Sequence, residues 1–241
     1  QSLGEKDKVD VLPSASMVYS MTRSFDQGLI AAAELALLRG DTDSKVGVIP
    51  VFKELFHRLP ATSKVRPYLA AALELAGEKD VKLFPDEIAR KVAALTRFRN
   101  GTLIYAPPLD HYAWTDETRQ CYRVTRYLQD AFPTQNFRVA TELAEAFRSH
   151  PDLLRQYEQV VRNLEILYQE RKEFLVLDLA KLARIDDGTI REMTEKHLDY
   201  IRRLQVLPDT RRREIIHFAE FLPMGFLPDL DLFPELTQRS R

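Results

Sequence analysis

The sequence has very little cysteine and glycine, and these shortages exclude several kinds of site. Cys121 is the only cysteine, so an intrachain disulfide, a four-cysteine zinc site and a c-type haem attachment are all excluded. Its apolar neighbours predict an inert buried thiol. The eight glycines form no phosphate-binding loop, and neither a His-Glu-x-x-His nor a Gly-x-Ser-x-Gly motif occurs. The common nucleotide-binding, zinc-protease and serine-hydrolase mechanisms therefore lack their first requirement, and we expect no cofactor.

An excess of charge of one sign is also absent. Thirty-five basic and 36 acidic residues leave a formal net charge of -1, so no overall field attracts nucleic acid or an anionic membrane. The basic clusters Arg202-Arg203 and 211–213 have acidic neighbours, which is typical of a solvated helix face. No run of 18 apolar residues occurs, so the sequence predicts no membrane span. The chain begins at Gln1 instead of methionine, which fits a trimmed precursor.

The remaining sequence has the pattern of amphipathic helices. Between the prolines and glycines, apolar residues recur at spacings of three and four, and no stretch alternates as a strand does. We therefore predict an all-α fold of about eight or nine helices, arranged as an irregular antiparallel bundle or an orthogonal helical array, with an extended Pro-rich C-terminal tail. The predicted helices span about 14–40, 43–59, 63–76, 85–98, 115–132, 134–149, 151–171, 189–207 and 209–222.

Several helix starts carry specific signals. Ser14 or Ser16 is expected to begin the first helix, and Pro85 fits a first helical position, where its missing donor costs nothing. Thr189-Ile-Arg-Glu192 has the spacing of a capping box and predicts a helix start at Thr189. The first helix is expected to pack through a single apolar stripe, formed by Met17, Met21, Phe25, Leu29, Ala32 and Ala36.

The chain divides into three predicted parts. Residues 1–13 form an extended segment, residues 14–222 a single helical domain, and residues 223–241 a Pro-rich apolar tail. Three prolines prevent a long helix in the tail, and it is too apolar for an ordinary disordered end. We expect it to dock on another protein chain through its large apolar side chains, Phe226, Leu230, Leu232 and Phe233.

The segment 105–127 gathers prolines, aromatic residues and arginines around one helix start. Thr115 is predicted to cap this helix, with acidic residues in its first turn. Two surfaces here are candidates for binding a ligand or a partner. The first is the loop and its helix entrance, with His111, Tyr112, Trp114 and Glu117. The second is a polar face formed by Arg119, Arg123 and Arg126.

Each of these candidates has a structural and a functional interpretation. The arginine face is expected to form ion pairs at a helix contact, and the alternative is a clamp for a small anion. Glu117 is expected to stabilise its helix start, and the alternative is a general acid or base whose pKa burial has raised. The aromatic side chains are expected to fix the loop to the core, and the alternative is stacking on a ligand.

Two Glu-x-x-His pairs supply a different hypothesis. They are Glu54 with His57 and Glu214 with His217. On a helix this spacing places carboxylate and imidazole on one face, as di-iron helical bundles require. A metal-dependent helical oxidoreductase is therefore an alternative function, although such short pairs also arise by chance in a Glu-rich chain.

The order of several motifs resembles a bacterial family known only as domain of unknown function thirty-one sixty, whose members are often exported. The residues that correspond to family motifs are Pro108-Leu109-Asp110-His111-Tyr112, Glu117, Tyr122-Arg123, Ser14 to Asp26, Met224-Gly225 and Pro228-Asp229. The likeness covers nearly the whole chain. It implies a helical protein of the bacterial periplasm or cell envelope.

This chain departs from the family pattern at two places. Tyr19 and Thr22 occupy the positions of two family histidines, and Leu109-Asp110 replaces Arg-Gly before His111. A metal or acid/base role based on the histidine pair would be lost. Family members also continue well beyond the Met-Gly motif. The resemblance therefore implies a non-enzymatic accessory or scaffold subunit whose apolar tail is covered by another subunit of a larger assembly.

Overall fold

The computed structural model describes residues 14–40, 46–79, 81–100, 110–130, 132, 137–168, 174–182, 186, 188–192, 195 and 222. Over these ranges the elements are α-helices and one 3-10 helix, without a β-strand, and the all-α prediction is confirmed. The elements are α1 (Ala15–Arg39), α2 (Val48–Arg58), α3 (Val65–Leu75), α4 (Pro85–Asn100), the 3-10 helix (Asp110–Ala113), α5 (Asp116–Leu128), α6 (Phe137–Ser149), α7 (Pro151–Tyr168) and α8 (Val176–Lys181). None of these helices is long and apolar enough to cross a bilayer.

Local chemistry explains where these helices begin and end. The Ser14 side chain accepts a hydrogen bond from the Met17 amide at 3.2 Å, so it caps α1 as predicted. Pro85 is the first residue of α4. Gly77 follows α3 with φ 85°, a conformation that favours glycine, and the Glu78 amide then donates to the Leu73 carbonyl at 2.9 Å.

Helix α3 lies at the centre of the described core. Every residue from Val65 to Leu73 is buried, and the helix packs against α2, α4, α5 and α6. The Tyr68 ring stacks on Tyr127 with centroids 5.1 Å apart, and it also contacts Phe132 at 4.9 Å. A helix buried all round positions the helices around it, so α3 sets the arrangement of α5 and of the candidate site.

A buried ion pair joins the ends of three helices. Arg66 Nε donates to Glu87 Oε1 at 2.7 Å, and both residues are buried. Arg66 Nη1 also donates to the Phe56 carbonyl at 2.9 Å near the end of α2, while Glu87 Oε2 accepts from the Phe84 amide at the start of α4. Burial raises the pKa of Glu87, but the hydrogen bonds from Arg66 and Phe84 outweigh it and hold the pKa below its ordinary value.

The predicted packing face of α1 is wrong. All six residues of the predicted stripe are exposed, including Phe25 at 72% and Met21 at 63%. The buried residues of α1 are Ala31, Glu34 and Leu38, on another side of the helix. Residues 14–26 are all exposed, so the first half of α1 extends beyond the packed core.

Three further features concern the C-terminal half. The Thr189 amide donates to Asp186 Oδ1 at 2.9 Å, so the helical turn at 188–192 is capped by Asp186, and the predicted start at Thr189 is wrong. Helix α8 packs against α6 and α7. The buried Leu222 lies at the end of α5, where its amide donates to the Leu128 carbonyl at 3.1 Å.

Residues 1–13 and the tail residues Phe226, Leu230, Leu232 and Phe233 lie outside the described residues.

Candidate functional site

The predicted start of α5 is confirmed and organises the site. Thr115 Oγ1 accepts from the Thr118 amide at 3.1 Å, and Thr118 Oγ1 accepts from the Thr115 amide at the same distance. Thr118 Oγ1 also lies 3.3 Å from the Tyr112 carbonyl, to which it can donate. These contacts join the 3-10 helix to α5. They place Tyr112 over the side of α5 that faces α1.

A buried carboxylate meets Tyr112 between α1 and the 3-10 helix. Tyr112 donates its hydroxyl hydrogen to Glu34 Oε1 at 2.8 Å, and its ring packs on Tyr122 with centroids 5.0 Å apart. Burial first, and then the charge of Glu34, raises the pKa of Tyr112 above its ordinary value. The phenol therefore keeps its proton and satisfies a carboxylate that is only 4% exposed. Tyr112 is bound to the core through its hydroxyl, as the structural interpretation predicts.

Glu34 was missed by the sequence analysis. It lies in the run Ala31-Ala32-Ala33-Glu34-Leu35-Ala36-Leu37-Leu38, where it is the only charged residue among apolar neighbours. A lone carboxylate in such a run is the available signal, because buried carboxylates require a hydrogen-bond donor. The sequence does not reveal that the donor is 78 residues away.

Cys121 lies beside this pair on α5. It is buried, and burial followed by the charge of Glu34 raises its pKa to about 12. A thiol with this pKa is almost wholly protonated near neutral pH and is a poor nucleophile. The predicted burial of the thiol is confirmed, and its inertness stays a prediction.

A narrow crevice opens next to Cys121. It is lined by residues from α1, α2, α5 and the end of α3, namely Leu35, Leu38, Arg39, Ile49, Ala76, Glu117, Gln120, Cys121 and Val124. Its free space of about 10 Å³ is close to that of a single water molecule. Ligand sites for small organic molecules are far larger, at about 300–1,000 Å³. This crevice can hold water but no substrate.

Glu117 does not meet the conditions for a general acid. It is exposed at the mouth of the crevice. Its pKa is lowered by a hydrogen bond from its own amide, then by Thr115 and by the positive charge of Arg39. The acid/base interpretation of Glu117 required burial and a raised pKa, and the structure contradicts both. Its position in the first turn matches the structural interpretation.

The three arginines of the polar face have different environments. Arg119 donates from Nη2 to Asp116 Oδ1 at 2.6 Å and from Nη1 to the Ala113 carbonyl at 2.9 Å. Arg126 donates to Gln129 Oε1 at 3.2 Å, and its guanidinium lies 5.3 Å from the centre of the Tyr122 ring. Arg123 is exposed. Because Arg119 and Arg126 are engaged at opposite ends of α5, the described contacts do not form one anion clamp.

The two remaining candidates in the loop differ from Tyr112. Trp114 is 54% exposed, so its predicted burial against the core is wrong. It lies in the bend between the 3-10 helix and α5, outside both elements. His111 belongs to the same 3-10 helix.

The structure describes only one of the two Glu-x-x-His pairs. Glu54 Oε1 accepts from Arg58 Nε at 2.9 Å on α2, and the exposed His57 contacts the Phe56 ring edge-on. Glu214 and His217 lie outside the described residues. Within the described ranges, no group of three or more His, Cys, Asp or Glu residues is placed to hold a metal ion.

No family model, no curated protein and no solved structure matches this chain. The resemblance of its motifs to the family thirty-one sixty therefore stays a prediction.

Proposed function

We propose that this protein is a non-enzymatic accessory or scaffold subunit of a larger bacterial cell-envelope protein assembly and acts through protein–protein contacts. The observation that supports this proposal is a row of large apolar side chains exposed on α4. The row lies at the start and along the outer side of this helix, where Phe84, Ile88 and Val92 are 58%, 46% and 51% exposed.

The α4 row is the surface that we assign to a partner subunit. Its three residues are spaced by four, so they lie on neighbouring turns of one helix side. Glu87 is buried beside the row and fixes the start of the helix to the core, and the row ends where Leu95, seven residues after Ile88, is buried. Single exposed apolar residues are normal in proteins, but a continuous row marks a contact surface for another protein.

The contacts of the arginine face favour this proposal over a small-anion binding protein, because Arg119 is already engaged by Asp116. The cell-envelope location follows from the motif resemblance alone. We also expect the tail residues Phe226, Leu230, Leu232 and Phe233 to contact the assembly, which would cover their apolar surface.

The test is isolation of the untagged protein from its native envelope under gentle conditions, with mass and metal content recorded together. We expect a stoichiometric complex with other polypeptides that survives purification. Phe84→Asp combined with Ile88→Asp should release this chain from the complex, because two charges would be buried at the contact. Ile166→Asp is the matched control, since Ile166 is an exposed apolar residue on α7.

Two results would contradict the proposal. Recovery of this chain without any other polypeptide, at the mass of one or two copies, would exclude a subunit role. Two tightly bound metal ions per chain would instead support the oxidoreductase alternative, whose candidate ligands are Glu54, His57, Glu214 and His217.

A further inference from the structure

We propose that two copies of this chain pair through α1 in an antiparallel, two-fold symmetric contact. The first observation is the exposed first half of this helix. Residues 14–26 are exposed on every side, although they include Met17, Met21 and Phe25. Large apolar side chains exposed together on one helix mark a contact surface.

The second observation is a gradient of side-chain size along the exposed stripe. The side chains are large at the start of the stripe, at Met17, Met21 and Phe25, and small towards its end, at Ala32 and Ala36. Gly28 lies on the same side of the helix, and a Cβ atom built there would meet no other atom within 4 Å. A glycine in the middle of a helix lowers its stability, and close approach of a second helix is a packing reason for it.

An antiparallel partner turns this gradient into complementary shapes. We choose the register in which the residue numbers of two facing positions add up to 53. Met17 then lies opposite Ala36, Met21 opposite Ala32 and Phe25 opposite Gly28. Each large side chain then meets a small residue on the other copy. The same three contacts recur by symmetry, as an isologous contact requires. A parallel pair would instead place the large side chains opposite one another and leave the small residues without packing.

The exposed area suits such a contact. Met17, Val18, Met21, Phe25 and Leu29 are each exposed by 47–72%. Together they expose on the order of 600 Å², and a stable interface buries roughly 800 Å² on each partner. We expect the exposed residues that flank the stripe on α1 to supply the remaining area when the first half of one helix lies along the second half of the other.

A membrane surface is a poorer occupant for the stripe. Helices that lie on anionic membranes carry several Lys and Arg residues on their polar face. Arg23 and Arg39 are the only basic residues of α1. The chain's own tail is the other possible occupant, and the experiments below distinguish it from a second copy.

The first experiment measures the mass of the purified full chain by light scattering and sedimentation. We expect twice the 27.9 kDa chain mass for the wild type, and a shift to the single-chain mass for Phe25→Asp. Phe84→Asp is the matched control, because it places the same charge on an exposed Phe outside α1 and should leave the mass doubled. A single-chain mass for the wild type, or a doubled mass for Phe25→Asp, would overturn the proposal. A tail that covers the stripe within one chain gives the first of these outcomes.

The second experiment tests the register by disulfide formation. The double variant Met21→Cys with Ala32→Cys should cross-link two chains under mild oxidation, because these positions face each other. Either variant alone should not cross-link, since its two copies would be separated by 11 residues, about 16 Å along the helix, and a disulfide needs Cα atoms within about 7 Å. The native Cys121 is buried and will not interfere. Cross-linking of Met21→Cys alone would show a parallel pair, and absence of cross-linking in the double variant would refute the register.

The pairing concerns copies of this chain only. It therefore stands or falls separately from the proposed contact of the α4 row with a different subunit.

Discussion

Replacement of Arg66 by methionine is the most direct test of how the described helices are held together. Methionine keeps much of the apolar stem but removes the guanidinium that contacts Glu87 Oε1 at 2.7 Å. The Phe56 carbonyl loses a donor at 2.9 Å, and the Phe56 ring loses the cation 4.0 Å from its centre. The carboxylate of Glu87, which is only 1% exposed, is left without its ion-pair partner.

The expected cost follows from the burial of both partners. Removing one member of a buried ion pair destabilises a protein by about 3–5 kcal/mol, because the other charge stays buried. In a chain of this size, each kcal/mol lowers the melting temperature by about 2–4 °C. We therefore expect Arg66→Met to lower the melting temperature by roughly 6–20 °C.

Thermal unfolding followed by circular dichroism measures this change, and two further variants sharpen it. Arg58→Met is the matched control, because the exposed Arg58 pairs with Glu54 and Asp152 on the surface and its loss should hardly change the melting temperature. Adding Glu87→Gln to Arg66→Met should restore part of the loss, since it removes the buried charge. An Arg66→Met protein with the melting temperature of the wild type would refute this account of the ion pair.

The pH dependence of the same pair has a definite sign. The folded pKa of Glu87 lies below its unfolded value, so the pair stabilises the fold above the unfolded pKa of about 4.3. This contribution is lost as the pH falls through the folded pKa. The difference in the free energy of unfolding between the wild type and Arg66→Met should therefore have its full value at neutral pH and be smaller at about pH 3. A constant difference between these pH values would contradict the lowered pKa.

Three further predictions concern single residues of the site. Gly77→Ala should lower the free energy of unfolding, measured by urea titration, by at least about 1 kcal/mol. The reason is that φ at this position is 85° and the new Cβ would lie 2.9 Å from the Gln120 side-chain amide. An unchanged midpoint of the urea transition would contradict this prediction. Thr115→Ala should cost about 1 kcal/mol in the same assay through loss of the α5 cap, and Thr115→Ser should retain most of it. Cys121 should react slowly with a thiol reagent at pH 8 and rapidly after unfolding, whereas rapid reaction in the native state would contradict its burial.

The sequence predicts most of the described helix boundaries because their signals are local. A capping side chain, a proline at a first helical position or a glycine with positive φ acts within a few residues, as at Ser14, Pro85 and Gly77. Even here, two acceptable caps can compete within one turn. Asp186 caps the turn that the capping-box pattern at Thr189 had suggested, because its Oδ1 accepts the hydrogen bond from the Thr189 amide at 2.9 Å. Helix α8 has only six residues, which is too short for a periodic pattern to reveal it.

The side of a helix that packs against the core is harder to predict when several sides are apolar. In α1, Ala31 and Leu38 are as apolar as the residues of the predicted stripe, so hydrophobicity alone does not choose between them. The buried side is the one that carries Glu34, whose carboxylate accepts a hydrogen bond from the hydroxyl of Tyr112. Contacts between residues far apart in sequence decide this, and a single sequence does not contain them.

The bond from the Leu222 amide to the Leu128 carbonyl has a consequence for the order of folding. It joins two positions more than ninety residues apart, so closing the chain at this point costs on the order of 4 kcal/mol of entropy. Contacts at this sequence separation form after local ones such as those between α3 and α4. We therefore expect the end of α5 to be completed late, and exchange of the Leu222 amide with deuterated solvent would report when Leu222 has reached the end of α5.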